Sequence, residues 1–383
     1  MDPDPSRGGG RFQIVDCSSL LCHYNEPTME NSDFHRRTLI WFDGHGRHDL
    51  PWQQPRTPYR VWISEIMLQQ TQVATVRGYF SRFLERFPDL QSLAQAPLDE
   101  VLRHWSGLGY YARARHLHQA AQQLMSAHQG QFPAELTALM ALPGIGRSTA
   151  GAILSLGHGQ AAAILDGNVK RLLARYFAVR GWPGQSAVLQ ELWALSERLV
   201  QPERPSDFTQ ALMDLGSLIC LAREPRCEIC PHLGECAAHR QGTVTQIPEK
   251  RPPSTRPVRT RVWLILRSPQ GAVYLESRPL EGLWGGLLSP PEFEHLGALT
   301  QWLEEQGLSE LALHTQPRQR HTFSHFHLDV TPLIADCPAD FVLAKTGPGA
   351  FIRSDAQERF PAPVRDLLAA LGEPGQPIFV PPP

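Results

Sequence analysis

The sequence lacks a hydrophobic run of the roughly 18 residues that a membrane-spanning helix needs, so we predict that it is not a membrane protein. It also lacks an excess of charge of one sign, because 36 Lys and Arg nearly balance 38 Asp and Glu. This balance excludes a uniformly basic surface, so any nucleic-acid-binding face must be local. Two basic clusters are candidates, although such clusters are commonly only solvated surfaces: Lys170, Arg171, Arg175 and Arg180, and Lys250, Arg251, Arg256, Arg259 and Arg261.

The first 28 residues have neither the apolar core of a secretory signal nor the Arg-rich character of an organellar transit peptide. We predict that residues 1–32 form a disordered extension, with Met29 as an alternative start of translation. The seven cysteines of a chain without an export signal favour metal ligation over disulfides.

The pattern of residues predicts a two-domain protein. Residues 33–240 read as an all-α domain of eight or more short helices, because apolar residues recur at intervals of three and four and Pro and Gly punctuate them. Residues 241–257 read as a polar, Pro-rich linker. Residues 258–371 read as an α+β domain, with strands at 262–266, 273–275 and 326–333 and a helix at 298–306. Residues 372–383 read as a loose tail.

Four cysteines form a C-x6-C-x2-C-x5-C cluster: Cys220, Cys227, Cys230 and Cys236. Four thiolates this close in the chain are suited to binding one inorganic centre. Zinc remains an alternative, although zinc sites usually pair two C-x2-C units and only one occurs here. The loop at 220–236 and its surroundings also contain candidates for phosphate contact: Arg223, Arg226, His232, His239 and Arg240.

The segment Leu142–Ser155 predicts a helical hairpin that turns around Gly144 and Gly146, with a new helix near Ser148. Glycines permit close approach of another molecule, and exposed amides at a helix start favour an anion. We therefore predict a phosphate-binding turn. A tight helix-helix connection with no ligand would explain the same glycines.

Two carboxylates stand out. Asp166 precedes Gly167-Asn168 and a predicted helix, so an N-cap and the helix dipole should keep it ionised. Glu65 lies between Ile63 and Ile66 on an apolar helix, where loss of water should raise its pKa. Carboxylates shifted in opposite directions suit cleavage of a glycosidic bond, with one donating a proton and the other stabilising the cationic sugar. The alternatives are a plain N-cap at Asp166 and a misplaced acid at Glu65.

The hairpin, the ILDGNVKR segment 20 residues beyond it and the four cysteines resemble the helix-hairpin-helix DNA glycosylases of the endonuclease III superfamily. The resemblance covers residues 33–240. MLQQTQV at 67–73 and GLGYYARAR at 107–115 are similar to the branch that removes adenine mispaired with 8-oxoguanine. The resemblance implies that Glu65 protonates adenine N7, that Asp166 is the catalytic aspartate of the superfamily and that the four cysteines bind one 4Fe-4S cluster.

The resemblance further implies a monomer that binds double-stranded DNA with an adenine:8-oxoguanine or adenine:guanine mispair, in the cytoplasm of a bacterium at its nucleoid. It places these residues at DNA or the lesion: Trp52, Gln70, Thr71, Leu108, Tyr110, Gly144, Gly146, Ser148, Asn168, Lys170, Phe323, Ser324 and His325. Because the enzymes of this superfamily that also cut the backbone carry lysine where Ser148 stands, a monofunctional hydrolase is implied.

Residues 258–371 resemble the Nudix-like domain of the adenine-specific branch, in GLWGGLLSPPEF at 282–293 and HTFSHFHLDV at 321–330. The metal-binding run of an active Nudix hydrolase has Glu where this chain has Gln301, so metal-dependent hydrolysis is not expected. The resemblance gives Phe323, Ser324 and His325 the role of recognising 8-oxoguanine.

Two other functions remain open from the sequence. One is a bifunctional glycosylase and lyase for oxidised pyrimidines, which Ser148 and the C-terminal domain disfavour. The other is a non-enzymatic iron–sulfur protein that binds DNA and senses redox state, for which Glu65 and Asp166 would be dispensable.

Overall fold

The computed structural model describes residues 29–252, 255–338, 349–353 and 359–371. Residues 1–28 of the predicted extension and the predicted tail at 372–383 lie outside this part of the chain. Residues 29–32 belong to the first helix, so the predicted boundary at residue 33 is four residues late. None of the helices in the described residues is long and apolar enough to cross a membrane.

The first part of the chain is helical, as predicted. Its helices in order are α1 (Met29–His45), α2 (Pro58–Leu68), α3 (Val73–Arg86), α4 (Leu90–Gln95), α5 (Leu98–Trp105), α6 (Ala112–Ala127), α7 (Leu136–Met140), α8 (Arg147–Ala152), α9 (Gly167–Tyr176), α10 (Ser186–Leu199), α11 (Pro205–Asp214) and α12 (Ala237–Arg240).

Helix α2 runs through the core of this helical domain. It begins where the Thr57 hydroxyl accepts a hydrogen bond from the Arg60 amide, with Pro58 in the first turn, where a missing N–H costs nothing. Trp62, Ile63 and Met67 are completely buried on it. Burial of each such side chain contributes about 1.5–3 kcal/mol, so α2 is fixed in position along its whole length.

Two close backbone approaches require glycine. A Cβ at Gly151 in α8 would lie 2.1 Å from the Ala163 carbonyl oxygen, so α8 packs directly on the segment that leads to α9. A Cβ at Gly144, which has a φ of +77°, would lie 2.8 Å from the His116 side chain. The helical hairpin is therefore packed against both α6 and the approach to Asp166.

The segment that leads into α2 is fixed by a buried ion pair. Asp214, at the end of α11, is fully buried, and its carboxylate accepts hydrogen bonds from the Arg47 amide at 2.7 Å and from Arg47 Nη2 at 2.6 Å. Gln210 Nε2 donates to the same carboxylate at 2.9 Å. These bonds connect the α1–α2 segment to the end of α11.

The C-terminal domain is the predicted α+β fold, built on a mixed sheet. Its strands and helices are β1 (Val258–Arg267), β2 (Val273–Ser277), β3 (Leu288–Ser289), β4 (Glu292–Phe293), α13 (Leu296–Glu305), β5 (His314–Thr315), β6 (Gln319–Thr322), β7 (His327–Asp336), β8 (Gly349–Ile352) and α14 (Ala362–Ala370). The order along the sheet is β3-β2-β1-β7-β5, with β4 on β1, β6 on β7 and β8 on β2.

Strands β1 and β7 are parallel and form the centre of the sheet, with Val258 opposite His327 and Arg267 opposite Asp336. Successive side chains of β1 enter two different cores. Trp263 and Ile265 pack in the core that includes α14, whereas Leu264 and Leu266 pack in the core that includes α13. The sheet is therefore covered by a helix on each face.

The predicted linker is shorter than 241–257. Ile247 is buried in the core of the helical domain, its carbonyl accepts a 2.8 Å hydrogen bond from Arg175 Nε, and the amide of Glu249 donates to the Gly181 carbonyl. Composition predicted too long a linker, because a polar, Pro-rich segment can still pack on the domain and accept hydrogen bonds from buried donors through its backbone carbonyls.

The two domains contact each other through the segment 284–287. Leu287 lies in the helical core, and Trp284 packs against the helical core and the C-terminal core together. Arg115 Nη1 of α6 donates to the Gly285 carbonyl at 2.8 Å. Arg359 pairs with Asp99 of α5 at 3.1 Å. The C-terminal domain therefore lies against α5 and α6.

We expect Asp214→Asn to lower the free energy of unfolding by about 3 kcal/mol, because it leaves the Arg47 guanidinium half-buried without its counter-charge. Urea unfolding measures the loss. The matched control is Asp49→Asn, which removes an exposed partner of Arg77 and should cost less than about 1 kcal/mol. Equal losses for the two variants would contradict this account of the α1–α2 segment.

Candidate active site

Glu65 and Asp166 are brought together from distant parts of the sequence. Glu65 lies in the last turn of α2, and Asp166 is the residue that caps the N-terminus of α9. Both are partly buried, and the negative charge of Asp166 acts on Glu65. The predicted pair of carboxylates is therefore one site.

Burial raises the pKa of Glu65 to about 8, and the charge of Asp166 adds to the rise. Ile63 and Ile66 flank it and are buried, so little water reaches the carboxyl group. Glu65 is consequently protonated at neutral pH, as predicted from the apolar pattern of its helix.

The prediction for Asp166 was wrong in direction. Burial raises the pKa of Asp166 above its usual value, although hydrogen bonds from the Val169 and Asn168 amides and the charges of Arg171 and Lys170 act in the opposite direction. The predicted N-cap is present, with Val169 N donating to Asp166 Oδ1 at 2.7 Å. The sequence showed the cap, but it did not show the loss of water.

The two carboxyl groups nevertheless differ in their surroundings. Asp166 has two amide donors and two nearby cations, whereas the influences on Glu65 are burial and a second negative charge. The donors and cations beside Asp166 favour its anionic form, and its negative charge in turn favours the protonated form of Glu65. The two carboxyl groups therefore have surroundings suited to different roles, with Glu65 as the proton donor.

The helical hairpin lies next to this pair. Ser148, in α8, accepts a 3.0 Å hydrogen bond from the Leu165 amide, so its hydroxyl is one residue away from Asp166. Gly144 and Gly146 are exposed at the turn, and no atom lies within 4 Å of a Cβ built on Gly146. The space beside Gly146 is open to a ligand.

Two residues of the first basic cluster, Arg171 and Arg175, make hydrogen bonds inside the protein. The prediction that they belong to a DNA-binding surface is therefore wrong. Arg175 is 3% exposed, and Arg171 donates to the carbonyls of Cys220 and Gly216. Asn168 Oδ1 accepts from Arg171 Nη2 at 2.9 Å. Lys170 remains a cation beside Asp166. In the second cluster Arg259 lies over the Phe326 ring, and Arg261 pairs with Glu292.

The segments predicted to face the lesion lie side by side. Gln70 and Tyr110 are exposed, and both have a left-handed backbone, with φ of +58° and +48°. Leu108 is buried to 6% exposure, and Arg113 contacts Thr71 and Leu108 together. Trp52 differs, because it is 4% exposed and packs edge-on against Phe80 in the core. Packing in the core alone accounts for the position of Trp52.

The four cysteines of the predicted cluster line one small cavity of about 30 Å³. Arg175 Nη1 donates to Cys220 Sγ at 3.3 Å, and the same guanidinium donates to the carbonyls of Leu221 and Ala222. A buried cation against a sulfur atom suits thiolate ligands, so these residues fit an anionic thiolate-bound centre. Within the described residues, no group of three His, Cys, Asp or Glu side chains has the spacing of a single-ion site.

His232, predicted to face phosphates, instead lies inside the protein. It is 1% exposed, stacks on Phe34 of α1 at 4.1 Å and shares a 2.9 Å hydrogen bond with the Thr38 hydroxyl. Burial lowers the pKa of His232 to about 3, so the ring is neutral. It connects the cysteine loop to α1, a role that no spacing in the sequence indicated.

The loop between β6 and β7 contains Phe323, Ser324 and His325. Phe323 stacks on Phe326 at 4.5 Å and packs against Trp284, and its amide donates to the Phe326 carbonyl. Ser324 and His325 are exposed. The aromatic packing fixes the turn and leaves the two polar side chains available for a ligand. In α13, Gln301 donates to Glu305, on an exposed face.

Sequence reasoning missed three arginines: Arg113, Arg115 and Arg359. Arg113 donates to the carbonyls of Gln69 and Gly109, Arg115 donates to that of Gly285, and Arg359 donates to that of Gly286. Such contacts leave no pattern of side chains in the sequence, so only the GLGYYARAR segment as a whole could have drawn attention to two of them.

Residues 63–198 match the family model of the HhH-GPD superfamily base excision DNA repair proteins, and residues 262–370 match the NUDIX domain. A solved structure of a thermostable thymine-DNA glycosylase superposes with a TM-score of 0.50 at 28% identity, covering 55% of this chain and 97% of that one. The fold and the carboxylate pair thus define a helix-hairpin-helix enzyme of base excision repair.

Among curated proteins, the adenine DNA glycosylase of Buchnera aphidicola (strain Bp) is 37% identical over 300 residues, which are 78% of this chain and 85% of the relative. The human adenine DNA glycosylase is 42% identical over 237 residues, 60% of this chain and 43% of that protein. The chain belongs to the adenine DNA glycosylase family.

Glu65→Gln should stabilise the protein at pH 8 and have little effect near pH 5. The folded state keeps the Glu65 proton up to about pH 8, whereas the unfolded chain releases it near 4.5, so stability falls as pH rises through this window. Glutamine stays neutral throughout. Melting temperatures from pH 5 to 8 measure the difference, with the exposed Glu85→Gln as control. A difference that does not grow with pH would contradict a buried, protonated Glu65.

Proposed function

We propose that this protein excises adenine from duplex DNA in which adenine is mispaired with 8-oxoguanine or guanine, by hydrolysis of the N-glycosidic bond. Membership of the adenine DNA glycosylase family supports adenine as the base. The observation that carries the chemistry is a protonated, half-buried Glu65 beside Asp166. A mispaired nucleotide costs least to rotate out of the helix, so the enzyme acts on a flipped adenine.

In the proposed reaction Glu65 donates its proton to N7 of adenine, which turns the base into a neutral leaving group. As the glycosidic bond breaks, positive charge develops on the sugar, and the anionic Asp166 stabilises it. A water molecule then adds to C1′, and its proton passes to the carboxylate that Glu65 has become, which completes hydrolysis and restores the proton donor. The Val169 amide holds Asp166 Oδ1 at the N-terminus of α9 and so fixes the position of the carboxyl group.

Ser148 supports a monofunctional hydrolase. A strand-cleaving glycosylase needs an amine that attacks C1′, and the side chain at this position next to Asp166 is a hydroxyl that accepts from Leu165. The exposed turn at Gly144 and Gly146 is the proposed phosphate contact, with Lys170 as a further cation on the same side as Asp166.

The four cysteines are the proposed ligands of one 4Fe-4S cluster. Bound there, the cluster would supply a rigid centre that orders the loop at 220–236. Arg175 and His232 fix this loop from two sides through Cys220 and Thr38. Arg223, Arg226, His239 and Arg240 are then presented towards DNA. Analysis of purified protein should give iron and inorganic sulfide in equal amounts near four per chain; stoichiometric zinc without sulfide would refute the cluster.

The lesion is read by two surfaces in this proposal. One consists of Gln70, Thr71, Leu108 and Tyr110 in the helical domain. The other consists of Ser324 and His325 in the C-terminal domain, whose contact with α5 and α6 fixes its position. The protein acts as a monomer, because one chain contains both surfaces, and it acts at the bacterial nucleoid, where its substrate lies.

The direct test is adenine release from duplexes with adenine opposite 8-oxoguanine, guanine or thymine. Glu65→Gln should lower single-turnover excision at least a hundredfold while mispair binding persists, because the proton donor is lost and the shape is kept. Asp166→Asn should lose activity as well, through loss of charge. If Asp166 were only an N-cap, asparagine would cap the helix and activity would survive. Release of oxidised pyrimidines alone would overturn the proposal.

For Ser324→Ala combined with His325→Ala we expect a five- to thirtyfold weaker preference for 8-oxoguanine over guanine opposite adenine, with excision from bound substrate retained. Two hydrogen bonds of about 1 kcal/mol each account for this range. Affinity and single-turnover rate on both mispairs measure it, with His314→Ala, on the exposed strand β5, as control. Unchanged preference would assign lesion recognition to the helical domain alone.

A further inference from the structure

Arg113, in the first turn of α6, lies between two backbone segments and contacts both. Its Nη1 donates to the carbonyls of Ile66 at 2.7 Å, Met67 at 2.9 Å and Gln69 at 2.5 Å. Its Nη2 donates to Leu108 and Gly109 carbonyls at 3.2 and 3.1 Å. One guanidinium thus joins the end of α2 to the loop that follows α5.

The acceptors are arranged for a planar, forked donor. The end of a helix leaves its last carbonyls without intrahelical partners, and Ile66, Met67 and Gln69 lie there. The left-handed backbone at Gln70 turns the chain back, so that the Thr71 hydroxyl also reaches Nη2, at 3.3 Å. A lysine has a single ammonium group, which cannot span two segments in this way.

Arg113 is 9% exposed and has no carboxylate partner in the described residues, and its Nε atom finds no hydrogen-bond partner there. Burial lowers the pKa of Arg113 to about 10, so it remains a cation at neutral pH. The aromatic faces of Trp105 and Tyr110 lie 5.3 and 5.7 Å from its guanidinium carbon. Backbone dipoles and rings therefore replace water around a buried charge.

We propose that Arg113 is a positioning residue which fixes Gln70–Thr71 and Leu108–Tyr110 relative to each other before DNA binds, and so sets the preference for the oxidised guanine. The inference rests on the proposed function, in which these segments face the lesion. It also connects them to chemistry, because Ile66 and Met67 follow Glu65 directly in the last turn of α2. The two segments and the catalytic turn share one cation.

Arg113 acts by ordering the two segments rather than by contacting the lesion. The segments at 69–71 and 108–110 are turns with left-handed residues, in which Gln70 and Tyr110 are exposed, and they would sample several conformations if their carbonyls were free. Fixing them in the free protein removes an ordering cost from the binding step. The gain is largest for the mispair whose recognition uses both segments at once.

The test is Arg113→Lys, which keeps the charge and loses the fork, with Arg103→Lys as matched control. Arg103 is exposed in the last turn of α5, and no role in the site is assigned to it. The affinity for adenine:8-oxoguanine over adenine:guanine is measured on the active fraction, together with single-turnover rates at saturating duplex. We expect the preference for adenine:8-oxoguanine to fall at least fivefold in Arg113→Lys, whereas Arg103→Lys should keep both the preference and the rates of wild type.

A merely structural role predicts a different result. Loss of stability would reduce the active fraction and leave the preference of the remaining active molecules unchanged, which would overturn the inference. If wild type fails to excise adenine from either duplex, the proposed function fails instead, so the two failures are distinguishable.

Hydrogen exchange of the wild-type protein provides a measurement that needs no folded variant. The amides of Thr71 and Leu108 donate to the carbonyls of Leu68 and Trp105. If Arg113 orders both turns in advance, these amides exchange slowly without DNA, and a mispaired duplex adds little protection. Fast exchange in the free protein, with protection appearing only on the duplex, would overturn the inference.

Discussion

The structure depends on one constraint. Two carboxyl groups are shielded from water and lie close enough for the charge of one to act on the other. Burial raises the pKa of both Glu65 and Asp166, and the charge of Asp166 raises that of Glu65 further. Such a pair destabilises a fold, so the surrounding core must be strong enough to tolerate it. Trp62, Ile63 and Met67, completely buried on α2, provide that core. The result is a proton that Glu65 retains at neutral pH, next to a second carboxyl group.

The rest of the helical domain fixes the approach to this pair. Gly151 allows α8 to pack on the segment before Asp166, the Arg47–Asp214 pair fixes the entry to α2, and Arg113 fixes its end. The C-terminal domain is joined to the same region through Trp284 and Arg115. In the proposed function, catalysis and lesion recognition therefore share α2 and α6 as their common support.

Much of this could be predicted from the sequence because the signals are local. Apolar periodicity predicted the helices, the segments 262–266, 273–275 and 326–333 predicted parts of β1, β2 and β7, and the apolar neighbours of Glu65 predicted its raised pKa. The four cysteines that were grouped by spacing do line one cavity. The short strands β3, β4, β5, β6 and β8 escaped prediction, since two to four residues are too few to show a period.

What could not be predicted depends on contacts between distant segments. The rise in the pKa of Asp166 comes from burial by other helices, and an N-cap in the sequence shows only the opposing hydrogen bonds. Arg171 and Arg175 resembled a basic surface, yet both donate to carbonyls inside the fold. Arginines that bind backbone atoms, Arg113 above all, have no partner that a sequence pattern could reveal.

The most direct measurement of the central claim is the pH dependence of single-turnover adenine excision by the wild-type protein at saturating duplex. If Glu65 is the proton donor, the rate should fall by about tenfold for each pH unit above about 8, as Glu65 loses its proton. Saturation removes any contribution from weaker DNA binding at high pH. A rate that stays level to pH 9.5, with substrate binding maintained, would show that the proton comes from another group and would contradict this account of the site.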